Sequence, residues 1–167
     1  MEFMDVVRKR RSTRKYRSEK ILNGKLTNIL EAARLAPSGC NRESWKFIVV
    51  RGEEKKAKLA VACNGQLWLS GADAIIVGCW LPMSGIDDMR LIRDVTIAME
   101  HIALAAVNEG LGVCWVGAID MEAVKSLLNI PEDVGINAIM PIGYPAEPAR
   151  QRAFKKLDEI ACYESFK

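Results

Sequence analysis

Histidine is nearly missing from this 167-residue chain, and His101 is its only one. A conventional zinc site would have to gather thiolates from distant segments, and a nucleophilic Cys–His pair would depend on that one imidazole. The five cysteines, Cys40, Cys63, Cys79, Cys114 and Cys162, are odd in number and form no C-x-x-C pair. Neither a disulfide framework nor a zinc ribbon is suggested, and no metal site is expected. Long apolar runs are missing as well. The longest, Ala74 to Ile86, is broken by Gly78, Pro82 and Gly85 and falls short of the ~18 residues that cross a bilayer. The acidic start Met1-Glu2-Phe3-Met4-Asp5 lacks the apolar stretch of a signal peptide. These absences predict a soluble, cytoplasmic protein without a membrane partner.

What is present is an ordinary globular mixture, 50% hydrophobic and 27% charged. It excludes disorder, collagen and disulfide scaffolds. The length suits a single domain over residues 1–167 with a core of useful size. Net charge is +3, but seven positive charges crowd into the ten residues from Arg8 to Arg17, and outside them 17 basic residues face 21 acidic ones. Two readings stand for this segment. It is a solvated or nucleic-acid-binding arm, or its guanidiniums, with the hydroxyls of Ser12 and Thr13, hold one small anionic group such as phosphate. Nucleic-acid surfaces usually spread their charge over a whole face.

The pattern predicts a short helix over Met4–Arg11 and a second, capped by Asn23, with Leu26, Ile29, Leu30 and Ala33 on one stripe. Pro37 ends it. Strands are expected at Trp45–Val50, Ala74–Trp80, Val113–Val116 and Ile136–Ile142, the last interrupted by Pro141, with a short one at Ile160–Tyr163. A charged helix should cover Glu53–Ala62. The longest helix, Arg90–Glu109, is apolar nearly all round and should be buried in a core or a subunit interface. Asp120 should cap a last helix carrying Val124, Leu127 and Leu128. Such a succession indicates helices around a single sheet. His101, Trp68 and Trp80 read as core or interface residues, and the cysteines as small buried hydrophobes except Cys40, which lies in a turn cluster.

Two further clusters carry alternatives. Pro37-Ser38-Gly39-Cys40-Asn41 is a helix stop with an Asx turn, or a loop offering side-chain hydrogen bonds to a ligand. Gly110-Leu111-Gly112-Val113-Cys114-Trp115-Val116-Gly117 is not the G-x-G-x-x-G dinucleotide fingerprint. Its Gly117 marks a strand end, or lets a planar ligand approach the backbone.

Taken in order, Arg10-Arg11-Ser12-Thr13-Arg14-Lys15-Tyr16, Glu31–Ser38, Asn41, Trp45, Gly110–Gly117 and Pro141-Ile142-Gly143-Tyr144-Pro145-Ala146 resemble the nitroreductase family of flavin enzymes over nearly the whole chain. The resemblance implies an α+β fold with a mixed central sheet flanked by helices, in an intertwined homodimer with FMN at the interface. Arg10, Arg11 and Ser12 would hold the FMN phosphate and ribityl chain, completed by Arg152 and Lys155. Arg14, with Asn64, would face the pyrimidine edge. Pro37, Ser38 and Asn41 would approach from the partner subunit. Trp115, Val116 and Gly117 would lie along the ring, with the Gly117 N–H near N5.

Gly117 and Arg14 would carry the catalytic roles, because a cation near N1 and O2 favours the reduced ring and a donor at N5 orients the atom that exchanges hydride. The implied activity is a ping-pong oxidoreductase that uses NAD(P)H to reduce nitroaromatics, quinones or similar electron-poor acceptors, with no nucleic acid as partner. A specialised family reaction such as reductive dehalogenation is less favoured, since no long recognition lid is present. The rival class is a non-catalytic flavin carrier or a basic-arm nucleic-acid-binding module. The chain departs from the family pattern at Glu43-Ser44-Trp45, where Gln-Pro-Trp is frequent, at Gly39, where a second Ser is common, and in the short stretch Leu81–Met89.

Overall fold

The computed structural model describes residues 1–148 and 152–166. Four strands, β1 (Trp45–Val50), β2 (Ala74–Trp80), β3 (Gly112–Val113) and β4 (Gly135–Gly143), form one sheet in the order β1-β2-β4-β3. The three ladders are antiparallel, and a parallel element enters through the single Ser12–Val113 bridge. Five helices accompany it: α1 (Phe3–Lys9), α2 (Asn23–Arg34), α3 (Glu53–Ala62), α4 (Asp88–Asn108) and α5 (Met121–Leu128).

β2 is buried on both faces because its side chains alternate between two apolar layers. Ala74 and Ile76 join α2 and α4 in one cluster, while Ile75, Val77 and Cys79 join α3 and α5 in the other. In β4 a bulge shifts the phase: Gly78 pairs with Ala138, but Cys79 pairs with Ile136, leaving Asn137 unmatched. That extra residue puts Ile136 and Ile139 on the same face, as one inserted position requires. Gly78 is needed for the α4 layer, since a Cβ there would sit 2.6 Å from the Met99 sulfur.

Most elements fall where the pattern places them, and the differences have local causes. Asn23 does not cap α2. It lies inside the first turn, Leu22 occupies the cap position, and the Asn23 side-chain oxygen accepts from Arg51 Nη1 at 3.0 Å. α4 begins earlier than expected because Asp87 caps it, accepting from the Arg90 N–H. It is also open on one side, with Ile97 exposed. β3 stops at Val113, and Val116 makes a separate bridge to Ile139. β4 runs through Pro141, which pairs with Ile75. No strand forms at Ile160–Tyr163, where the chain has a 3-10 turn at Leu157–Glu159 followed by exposed residues. Cys162 is exposed as well as Cys40, while Cys63, Cys79 and Cys114 are buried. His101 lies between two helices, its Nδ1 3.0 Å from the Ala32 carbonyl.

Candidate functional site

The basic segment does not stand off as an arm. It runs along the β3 edge of the sheet, with Thr13 N–H donating to Val113 O at 2.8 Å and Ala146 N–H to Lys15 O at 3.0 Å. Two paired glycines make room for it. A Cβ on Gly112 would lie 2.4 Å from Thr13 Oγ1, and one on Gly143 would lie 2.8 Å from Tyr16 Cδ1. Tyr16 then donates its hydroxyl to Thr13 O at 2.7 Å. Burial, followed by the neighbouring Cys114, pushes that phenol far above its usual value, so it stays a neutral donor. Three motifs distant in the chain therefore interlock through hydrogen bonds and glycine contacts.

The segment's charges are divided by this path. Lys15 pairs with Glu147 and Arg17 with Glu19. Ser12 instead bridges to Val113, next to Cys114, and Arg14 turns toward the Trp68 ring. Burial raises the Cys114 thiol, and Arg14, a hydrogen bond from Ser12, and Arg10 each oppose that rise. Next to Cys114 the chain leaves the sheet: Trp115 is half-buried, Val116 is buried, and Gly117 is exposed with nothing within 4 Å of where its Cβ would be. The result is an open backbone shelf that continues from the edge on which the basic segment lies. Trp115 is held from below by α4, its Nε1 donating to Glu100 Oε2 at 3.0 Å.

The remaining site residues are distributed as follows. Arg11 is half-buried and turned toward the end of α1, donating to the carbonyls of Arg8 and Arg10. Its guanidinium stands 5.7 Å from the Phe154 ring centroid, with Arg152 5.4 Å from the same ring. The C-terminal segment is thus brought back to the basic one, while Lys155 is exposed. Asn64 is exposed just after α3, in a left-handed conformation with φ of 55°. Its neighbourhood meets the shelf twice: Asp120 N–H donates to Ala62 O at 2.8 Å, and Arg14 lies 5.8 Å from the Trp68 ring.

Pro37, Ser38 and Asn41 have other partners. Their loop is fastened to α4, where Gly39 N–H donates to Asp94 Oδ1 at 3.1 Å and Arg42 Nη2 to Asp94 Oδ2 at 2.8 Å. Ser38 Oγ accepts from Glu43 N–H at 3.0 Å, and Asn41 Nδ2 donates to Glu43 Oε1 at 2.8 Å. Cys40, Asn41 and Glu43 all have φ above +50°, an unfavourable conformation for L residues that persists only where contacts determine it. Ser44 continues the chain by donating its hydroxyl to Leu81 O and accepting Leu81 N–H at 3.1 Å, so the short Leu81–Met89 segment starts from this loop. Sequence reasoning did not single out Glu100 or Asp94, and it read Thr13 only as a hydroxyl donor within the basic cluster. Only the glycines opposite Thr13 and Tyr16 carried a readable signal for the close contacts.

The comparisons follow the same order along the chain. The model of the nitroreductase family matches residues 7–81 and 82–144. A relative from Methanothermobacter thermautotrophicus, named provisionally as an NADH dehydrogenase/NAD(P)H nitroreductase, is 35% identical over 165 residues, covering 96% of this chain and 86% of its own. A solved nitroreductase family protein from Clostridium novyi aligns with a TM-score of 0.80 at 34% identity, over 90% of this chain and 89% of that one. An FMN-dependent nitroreductase from Clostridium difficile aligns at 0.85 and 30%, over 98% and 99%. The interlocked basic segment, the glycine-bounded shelf and these matches from end to end agree: the chain belongs to the nitroreductase family.

Proposed function

We propose that this protein is an FMN-dependent oxidoreductase that uses NAD(P)H to reduce nitroaromatics, quinones or similar electron-poor compounds. The observation that carries the reading is the shelf, where the basic segment is joined to Val113 through Ser12 and Thr13 and Gly117, a few residues on, faces open space. This donor set fits a flat ring with a phosphate tail. Guanidiniums and a hydroxyl suit phosphate and pyrimidine oxygens, and an exposed glycine lets a ring approach a backbone N–H. FMN, when bound, supplies the two-electron transfer between NAD(P)H and the acceptor.

The chain's own residues bind and orient. Arg10, Arg11 and Ser12 would hold the phosphate and ribityl chain, with Arg152 and Lys155 adding positive charge from the C-terminal side. Arg14 and Asn64 would face the pyrimidine edge, the Gly117 N–H would face the ring, and Trp115 and Val116 would back it. Donor and acceptor would use one open face in turn, in a ping-pong order.

The working unit is a homodimer, in which Pro37, Ser38 and Asn41 reach the shelf of the partner subunit. Two observations support it. The loop's own chain fastens it to Asp94 rather than to the basic segment, and Phe3, Phe154, Leu157, Ile160 and Phe166 stand largely in water on a lone chain. The partnered Lys15 and Arg17 disfavour a nucleic-acid arm. The test is a visible spectrum and elution volume of purified protein after FMN addition and gel filtration. About one flavin per chain in a dimer-sized peak, bleached by NADH or NADPH, is expected. A colourless peak would sink the reading.

A further inference from the structure

The loop Pro37–Glu43 contains three residues with φ above +50° in four positions, and turn propensity alone does not hold such a run. Bonds within the loop, from Glu43 to Ser38 and Asn41, are joined by one carboxylate that ties it to the body of the fold. Asp94, buried in the second turn of α4, accepts from the Gly39 N–H through one oxygen and from Arg42 Nη2 through the other. The two side chains are 7% and 13% exposed, so the pair sits largely out of water.

The space it fills belongs to Gly39. A Cβ there would lie 2.4 Å from Arg42 Nη2 and 2.8 Å from Cζ. Glycine at position 39 and arginine at position 42 are therefore one coupled feature: the guanidinium occupies the place a side chain at 39 would take. Among the described residues Arg42 Nε is buried with no hydrogen-bond partner and Asp94 is the carboxylate paired with this guanidinium. Further along α4, Glu100 holds the Trp115 indole. Six residues of helix, about 9 Å, thus separate the anchor of the loop from the anchor of the shelf.

We infer that Asp94 is the positioning residue of the cofactor loop. Through Gly39 N–H and Arg42 it sets where Ser38 and Asn41 point, and so how tightly a dimer holds FMN. This rests on the flavin reading above, because it is FMN that the loop is positioned to meet. Asp94 touches neither cofactor nor substrate in this scheme and acts through the loop.

The experiment compares wild type with Asp94→Asn, Gly39→Ser and the double variant Arg42→Met/Asp94→Leu. Its readouts are FMN affinity by quenching of flavin fluorescence, thermal midpoint, and hydrogen exchange of the Gly39–Trp45 amides. Asp94→Asn leaves Arg42 buried without its counter-charge, so both midpoint and affinity should fall. The double variant removes both charges and should recover the midpoint. It still lacks the acceptor for Gly39 N–H, so its FMN dissociation constant should stay about tenfold above wild type and its loop amides should exchange faster.

Gly39→Ser should displace Arg42 and weaken FMN in the same way. A folded double variant that binds FMN within twofold of wild type, with unchanged exchange, overturns the positioning role alone. Wild-type protein that takes up no FMN overturns the flavin reading, and this inference with it.

Discussion

At the scale of single residues, the site combines groups that differ in what they tolerate. Gly117 has empty space where a Cβ would go, so Gly117→Ala should change the thermal midpoint by no more than about 2 °C, since exposed changes rarely exceed ~0.5 kcal/mol. It should nevertheless weaken FMN binding, because the methyl group points into the space the ring needs. Fluorescence titration beside a melting curve checks both halves. Arg10→Ala should chiefly loosen FMN, whereas Arg14→Ala should chiefly lower the flavin potential and the rate.

Glu43 opens the Glu43-Ser44-Trp45 stretch, where the family pattern often has Gln-Pro-Trp. Its carboxylate can only accept, and it takes the Asn41 amide N–H. Glu43→Gln removes a negative charge near a ring that gains electrons, and should raise the two-electron potential by on the order of 10 mV. Spectroelectrochemical titration reads that shift, and a lower potential would contradict the loop's proximity to the ring.

At the scale of elements, the glycines of β3 and β4 decide whether the basic segment can lie on the sheet. Gly112 and Gly143 are directly paired across the ladder, and each is covered by a residue of the segment. Gly112→Ala should cost about 1–3 kcal/mol, the usual price of overpacking a tight contact. It should also reduce FMN retention, because Thr13 moves and carries Ser12 and Arg14 with it. Urea unfolding and flavin content report the two effects. Unfolding unchanged together with full flavin content would mean that the segment can shift without consequence.

Element boundaries were legible where one force set them. β1, α3 and β2 follow from runs of apolar or charged residues bounded by breakers. The Val113–Val116 strand was not, since its apolar residues serve a ladder at one end and a shelf at the other. Neither was the Asn23 cap, because Arg51 from the end of β1 competes for that side-chain oxygen.

At the scale of the whole molecule, Asp73 ties distant segments together. Its carboxylate, 2% exposed, accepts from Ile21 N–H at 3.0 Å and pairs with Arg51 at 2.6 Å and Lys20 at 3.2 Å. Burial alone would raise its pKa, but the Ile21 N–H, Lys20 and Arg51 together hold it below the ordinary carboxylate range. Since the folded value is the lower one, this stabilisation is complete above the unfolded value of about 3.9 and is lost as pH falls through the folded one. Asp73→Asn should therefore destabilise by about 2 kcal/mol at neutral pH, with the gap closing toward pH 2. Chemical denaturation of both proteins across that range tests the sign.

Oligomerisation belongs to this scale too. If the exposed apolar residues of α1 and the C-terminal segment are covered by a second copy, FMN retention should fall on dilution together with dimer content. Retention independent of concentration would separate the two.

The sequence by itself determined the α+β class, the apolar strand β2, most helices and the family, because these depend on periodicity, breakers and motifs that are local in the chain. It also pointed to Arg10, Ser12, Arg14 and Gly117 as a group. Only the tertiary structure decided the path of the basic segment over Gly112 and Gly143, the pairing of Lys15 with Glu147, and the fastening of the Gly39 loop by Asp94. Each of these joins residues far apart in sequence. Such contacts are fixed by which atoms fit and which charges are left unpaired, and a linear pattern of residue types does not encode that.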